Sequence, residues 1–256
     1  MTIISGIGKK GNNMNIGLIF AGGVGSRMRS KEKPKQFLEV HSKPIIVHTI
    51  ELFEQTAEID AIVVVCVADW MDYMAELVPQ FHLNKVKAIV PGGDTGQLSI
   101  YNGLVAAEEI ADDTSENVVL IHDGVRPLIN AKVIQENIQS VKKFGSAITT
   151  APAKETVVLV GEENDITEVV DRDRSFTAKA PQSFKLNEIL EVQRDALANG
   201  INNAIDSATL MGMYNRKLHI VEGPYENIKI TTPDDFYMFK ALKDAQEISQ
   251  IYGVES

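Results

Sequence analysis

Cysteine is nearly absent: Cys66 is the only one in 256 residues. No intrachain disulfide can form, and a thiol inside the apolar run Ile62–Val67 reads as a core residue in a reducing, cytoplasmic setting. Metal-spaced Cys/His clusters are missing, and so is a Gly-x-Ser-x-Gly elbow, so neither a zinc site nor covalent serine catalysis has a motif behind it. No uninterrupted apolar run approaches the roughly 20 residues that span a bilayer. Positive charge is not in excess: the net charge of -10 lacks the basic footprint of a general nucleic-acid or membrane-surface binder. Internal repeats and low-complexity tracts are lacking too. Residues Met1 to Met14 have no apolar signal-peptide core and are polar and Gly-rich. They read as a disordered leader, 1–14, ahead of one domain over 15–256.

What the chain does have is concentrated in one stretch. The apolar run Ile16 to Phe20 reads as a buried strand, followed by Ala21 and three glycines, Gly22, Gly23 and Gly25. Arg27, Arg29, Lys31, Lys33 and Lys35 then place five cations within nine positions of an acidic chain. Glycine lets a backbone turn approach a ligand closely, its N–H groups cradle anions, and neighbouring cations add charge. The stretch therefore reads as a phosphate-handling loop at the end of a first strand. It is not a Walker A loop, since no Gly-Lys-Ser/Thr closes it, and Met28 stands where the dinucleotide fingerprint needs its third glycine. The plain alternative is a Gly-rich turn.

Strand and helix signals alternate after it. Strands are expected at Ala61–Val67, Val86–Val90, Val118–His122 and Ala147–Ala151. Helices are expected at Pro44–Glu54, Asp69–Phe81, Ser99–Ile110 and Lys132–Phe144. Continuous apolar strands separated by helices predict an α/β fold, with a mostly parallel sheet covered by helices. Ligands in such sheets sit beyond the carboxyl ends of the strands, so the turns Gly22-Gly23, Gly92-Gly93 and Asp123-Gly124 should share one rim. After Ala151 the pattern changes. Thr156–Val160 and Glu168–Val170 flank a turn-rich segment and read as a two-stranded arm over about 154–174. An isolated hairpin is barely stable, so a second subunit is its natural partner. Helical patterns return at Leu186–Ala198 and Asp206–Tyr214, then a strand at Leu218–Glu222 and a closing helix at Asp234–Ile251.

Three further places can carry chemistry. Asp123, at the end of a buried strand, is placed for Mg²⁺, which takes one or two carboxylates and completes its shell with phosphate oxygens. An ordinary Asp-Gly turn is the competing reading, and His122 is given no catalytic role. Lys229, between Ile228 and Ile230 in an apparent strand, faces either solvent or a polar cleft. Val170-Asp-Arg-Asp-Arg174 reads, by itself, as surface charge.

The chain resembles a known family in four ordered motifs: Ala21-Gly-Gly-Val-Gly-Ser-Arg27 with Pro34-Lys-Gln36, His122-Asp-Gly-Val-Arg-Pro127, Pro181-Gln-Ser-Phe184 and Asn227-Ile-Lys-Ile-Thr-Thr-Pro233. These look like the cytidylyltransferases of sugar-alcohol phosphates, whose main branches use methylerythritol 4-phosphate or ribitol 5-phosphate. The resemblance runs from about Asn15 to the closing helix. It implies a doubly wound nucleotidyltransferase fold, CTP and a small sugar-alcohol phosphate as substrates, Mg²⁺ or another divalent cation, and a homodimer joined through the arm. By the same resemblance, Arg27, Lys35 and Lys229 neutralise the phosphates and Asp123 binds the metal. Ala21, Gly22, Gly23 and Gly25 cradle the nucleotide, Ser99 touches the nucleoside, and the backbone at Gly92 and Gly93 reads cytosine. Arg126, Thr156 and Arg172 match acceptor-phosphate positions, the arm residues serving the neighbouring subunit.

Two positions depart from the pattern. Gly96, followed by Gln97, replaces a usual arginine, and Ala180 replaces a usual threonine. Ala21-Gly22-Gly23 and Val125-Arg126-Pro127 look more like the ribitol branch, which implies CDP-ribitol for capsule or teichoic-acid polymers. The methylerythritol reaction and a non-catalytic nucleotide-binding domain are the alternatives. Retention of Arg27, Lys35, Asp123 and Lys229 together speaks against the last.

Overall fold

The computed structural model describes residues 2–3, 13–22, 33–111 and 116–252. A two-residue strand, β1 (Thr2–Ile3), precedes β2 (Asn15–Ala21), the small hairpin β3 (Glu39–Val40) and β4 (Lys43–Pro44), and helix α1 (Ile45–Glu54). Next come β5 (Ala61–Cys66), α2 (Met71–Gln80), β6 (Val86–Pro91), α3 (Gly96–Ile110), β7 (Val118–Asp123), α4 (Ala131–Phe144) and β8 (Ser146–Pro152). The second part holds β9 (Val158–Val160), β10 (Ile166–Val169), β11 (Phe176–Lys185), α5 (Leu186–Ala198), α6 (Ser207–Met213), β12 (Ile220–Glu222) and α7 (Pro233–Tyr252). Among the described residues, no helix is long and apolar enough to cross a membrane.

The main sheet has eight strands in the order β1-β6-β5-β2-β7-β11-β8-β12. Strands β6, β5, β2 and β7 run parallel, and so do β8 and β12, while β1 and β11 are antiparallel to their neighbours. The apolar runs alternate between two cores. Ile19, Val64, Cys66 and Leu120 face α1, α2 and α4, whereas Leu18, Val63, Val65 and Ile121 face α3, α5 and α6. Both faces are covered, which is why these strands read as continuous apolar runs. Cys66 lies in this core, and burial pushes its thiol up to about 12.

Local signals set the helix ends. Thr95 caps α3 by accepting from Leu98 N, Asn130 caps α4 by accepting from Val133 N, and Gly145, at φ 85, closes α4 in the left-handed region. At the start of α7, Asp235 Oδ2 accepts from the backbone N–H and the hydroxyl of both Thr231 and Thr232. Together with Pro233 in the first turn, this is a capping arrangement that anchors the segment before the helix. Helix α7 packs through Phe239 on Val40, Ile45, Val125 and Leu128.

Two sequence expectations change. The largest is β11, a ten-residue strand in the sheet interior between β7 and β8 where none was expected. Pro181 argues against an interior strand because it cannot donate to the ladder. The chain accommodates it at an irregularity, a register shift between Ala178 and Gln182 on the β8 side. Second, Lys229 lies in an extended loop and not in a strand. Ahead of β2, β1 pairs with Ile89 and Ala88, and Met14 is buried with its N–H donating to Asn117 Oδ1 at 2.9 Å. The arm is present as the separate β9–β10 pair, exposed along both strands.

Candidate active site

The carboxyl ends of β2, β6 and β7 meet on one rim. Gly22 approaches the turn after β6 so closely that a Cβ on it would lie 2.8 Å from Ser99 Oγ. A Cβ on Gly92 would lie 3.1 Å from both Gly22 Cα and Ser99 Oγ, so a side chain at either glycine would press on Ser99 and on the facing turn. Ser99 Oγ accepts from Gly93 N at 3.0 Å and donates to Thr95 O at 2.9 Å. Its hydroxyl thus shapes the Gly92–Gly93 turn. Gly124 N donates to Phe20 O, and Gln36 Nε2 donates to Ala21 O at 2.8 Å, tying the Lys35 turn beneath the end of β2. Gly23, Gly25 and Arg27, with Arg29 and Lys31, lie outside the described residues.

Asp123 ends β7 and is the electrostatic centre. Lys229 Nζ is 2.6 Å from its Oδ1, and Arg126 Nε is 2.7 Å from its Oδ2. Burial alone would raise this carboxyl; Lys229 and Arg126 outweigh it and hold Asp123 at about 2. Arg126 Nη1 also donates to Asn227 O at 2.9 Å. Lys35 Nζ donates to Ile230 O at 3.2 Å, and Ile230 N donates to Val125 O. The loop 227–232 is therefore stitched to the β7 turn, and Asp235 fixes its far end. His122 is fully buried, burial pushes its imidazole down to about 4, and Nε2–H donates to Arg126 O at 3.0 Å. It is a neutral prop under the Arg126 turn.

Two cavities open on either side of Asp123. One, about 230 Å³, is lined by Gly22, Lys35, Gly93, Asp94 and Ser99. The other, about 270 Å³, is lined by Arg126, Lys179, Gln182, Asp206 and Ser207. Phe20, Gly96, Asp123 and Lys229 line both, so two molecules bound side by side would meet at the Asp123–Lys229 pair. A Cβ on Gly96 would meet nothing within 4 Å, so space there does not demand glycine.

The structure brings Ala21, Gly22, Lys35, Gly93, Ser99, Asp123, Arg126 and Lys229 to these cavities, with Gly92 directly behind. It does not bring Thr156 or Arg172 there; both are exposed on or beside the arm. Sequence reasoning missed Lys179, whose Nζ donates to Tyr225 O at 2.9 Å and whose ammonium is disfavoured by burial and by Arg126. It also missed Asp206 and Ser207. The available signal was the missed strand: once β11 is drawn, Lys179 and Gln182 fall beside the end of β7.

Asp123 suits a divalent cation of one kind. It is a hard oxygen donor, ionised at any ordinary pH, and it faces the space where phosphate oxygens would complete a shell. Among the described residues no group of three or more His, Cys, Asp or Glu side chains is arranged to hold a metal ion. Asp123 is thus a single carboxylate donor whose two oxygens are engaged by Lys229 and Arg126 in this structure.

A mostly parallel sheet thus carries a glycine rim and two cavities that share Asp123 and Lys229. Residues 16–243 match the family model of IspD, 2-C-methyl-D-erythritol 4-phosphate cytidylyltransferase, and the chain belongs to that cytidylyltransferase family. It is 70% identical over 241 residues to a ribitol-5-phosphate cytidylyltransferase of Streptococcus agalactiae, covering 94% of this chain and 100% of that protein. It is 55% identical over 240 residues to one of Vibrio parahaemolyticus, covering 94% of this chain and all of that protein. Among solved structures, the 4-diphosphocytidyl-2C-methyl-D-erythritol synthase of Anaerococcus prevotii superposes with a TM-score of 0.79 at 26% identity, over 91% of this chain and 96% of that one.

Proposed function

We propose that the enzyme transfers the cytidylyl group of CTP to D-ribitol 5-phosphate, giving CDP-ribitol and pyrophosphate for capsule or teichoic-acid type polymers. The observation that carries the choice of acceptor is the high identity, across nearly the whole chain, to two ribitol-5-phosphate cytidylyltransferases. The geometry supports the reaction type: two cavities meet at one anionic and cationic pair, and no nucleophilic side chain is needed.

In the proposed reaction an oxygen of the acceptor phosphate attacks the α-phosphorus of CTP. The new P–O bond forms as the bond to the β-phosphate oxygen breaks, and pyrophosphate leaves with the electron pair. Two polyanions must approach, so the catalytic task is positioning and charge neutralisation. Lys35 and Lys229, with Arg27, neutralise the triphosphate and the charge gathering at the α-phosphate. Ser99 holds the Gly92–Gly93 turn that carries the nucleoside. Arg126 anchors the acceptor phosphate, assisted by Lys179. Asp123 would hold a divalent cation together with the triphosphate, and that cation would supply further charge neutralisation. Thr156 and Arg172 reach the acceptor phosphate of a neighbouring subunit in a homodimer built through the arm. The exposed apolar residues Leu159, Val160, Ile166 and Val169 support that association.

The test is an acceptor panel. Purified protein with CTP and Mg²⁺ should release pyrophosphate with ribitol 5-phosphate. Turnover with methylerythritol 4-phosphate alone would transfer the assignment to that reaction. Tight CTP binding without turnover of either would point to a non-catalytic nucleotide-binding protein.

A further inference from the structure

The β9–β10 arm leaves the sheet through a narrow root, where Ala153 N donates to Ser175 O at 2.8 Å. One residue from a distant part of the chain grips this root. Tyr225 donates its hydroxyl to Pro152 O at 2.8 Å, and Lys154 Nζ stands 3.6 Å from the centre of the Tyr225 ring. From β11, the strand that follows the arm, Lys179 Nζ donates to Tyr225 O at 2.9 Å. Tyr225 is 37% exposed, so these contacts and not core burial fix its side chain.

Tyr225 also opens the segment that carries Lys229. Asn227 N donates to Pro224 O at 3.2 Å, closing a four-residue turn in which Tyr225 is second. Asn227 is fully buried; its Nδ2 donates to Ala180 O at 2.7 Å, and its O accepts from Arg126 Nη1 at 2.9 Å. Lys229 follows two residues later and reaches Asp123. Tyr225 and Asn227 therefore belong to one tight turn, and a displacement of the first is passed to the second and on to Lys229. Tyr225 lines neither cavity, so whatever it does for the reaction it does through another residue.

We propose that Tyr225 is a positioning residue for Lys229: it registers the 224–229 segment on the root of the arm and so fixes how the Lys229 ammonium is presented beside Asp123. Lys229 is itself half-exposed, on a loop with no strand or helix around it, and only such anchors set its direction. A charge that must meet a developing charge in the transition state loses most of its effect when displaced by about 1 Å. The arm root and the reacting centre are thereby one mechanical unit, joined through a single side chain. This inference rests on the proposed role of Lys229 in the reaction.

The test is a double-mutant cycle on the full chain, read with CTP, Mg²⁺ and whichever of the two acceptors the wild type turns over. Tyr225→Phe keeps the ring under Lys154 and loses only the bond to Pro152 O, and it should lower kcat about fivefold. Tyr225→Ala loses the ring as well and should lower kcat about thirtyfold, with KM for CTP changed less than about twofold. The melting temperature should fall by about 2–4 °C in either variant. In a Lys229→Ala background, followed by single turnover, both Tyr225 substitutions should cost less than about twofold further, because the group they position has gone. Wild-type kcat in folded Tyr225→Ala overturns the inference. So do equal losses with and without Lys229, which mark a residue that serves the fold as a whole. Wild-type kcat in Lys229→Ala instead overturns the role given to Lys229, and a wild type that turns over neither acceptor overturns the proposed reaction; in both cases the inference falls with the reading it rests on.

Discussion

Lys229 Nζ lies 2.6 Å from Asp123 Oδ1, joining a loop after the last strand to the end of the central strand β7. Asp123 is shared with Arg126, so one buried carboxylate holds two cations from different parts of the chain. Lys229 lines both cavities, whereas Arg126 lines only the larger. In the proposed reaction this pair is where nucleotide and acceptor meet. Replacing Asp123 with Asn keeps the shape but removes the charge that positions both partners. Asp123→Asn should reduce kcat by about 10²-fold or more and stability by about 1–3 kcal/mol. A steady-state assay with a parallel urea melt checks both, and wild-type kcat in a folded variant would remove Asp123 from the reaction.

Acid should destabilise the protein in two stages. Folded His122 titrates at about 4 against an ordinary 6.5, so between those values the unfolded chain binds a proton that the folded chain refuses. Stability therefore falls as pH drops from 6.5 toward 4, and the half-buried His48, whose imidazole is also pushed down by burial, acts in the same direction. Folded Asp123 titrates at about 2 against 3.8, so its contribution is complete above 3.8 and lost as pH falls from there toward 2. The His122 part amounts to about 3 kcal/mol. Urea unfolding from pH 7 to pH 4.5 should show the fall, and His122→Gln should flatten most of it. Equal slopes in both proteins would contradict this assignment.

Asp235 holds Thr231 and Thr232 through four hydrogen bonds, two residues beyond Lys229. Asp235→Ala should cost about 1–2 kcal/mol as a lost helix cap and also lower kcat by loosening the loop that carries Lys229. Stability lost with kcat intact would show that Lys229 is positioned by Asp123 alone.

The central fold was legible because each parallel strand is buried on both faces, so runs such as Ala61–Cys66 can be little else. The glycine rim was legible for a related reason: the two turns approach so closely at Gly22 and Gly92 that a side chain there would press on Ser99 or the facing backbone. Strand β11 was not legible, because Pro181 and the buried polar Ser183 break the apolar pattern. Ser183 Oγ is satisfied only across the fold, donating to Asn137 Oδ1 on α4 at 2.9 Å. Lys179 and Ser207 were hidden with it, since their value depends on which strand lies beside β7. Lys229 was ambiguous in sequence because direction in a loop is set by long-range bonds such as the one from Lys35 to Ile230 O.

The arm offers a test of subunit sharing. Lys35→Ala should lose activity in its own site, and Arg172→Ala in the neighbour's. Mixing and re-pairing the two inactive variants should restore about a quarter of wild-type activity, since half of the dimers carry one intact site. No recovery despite subunit exchange would place Arg172 outside the neighbour's site.

The most direct measurement is a competition between acceptors. With CTP and Mg²⁺ held constant, ribitol 5-phosphate and 2-C-methyl-D-erythritol 4-phosphate are supplied together at equal concentration, and the two CDP products are separated and counted. CDP-ribitol should dominate by the ratio of the two kcat/KM values. A product pool dominated by the methylerythritol conjugate would contradict the proposed activity.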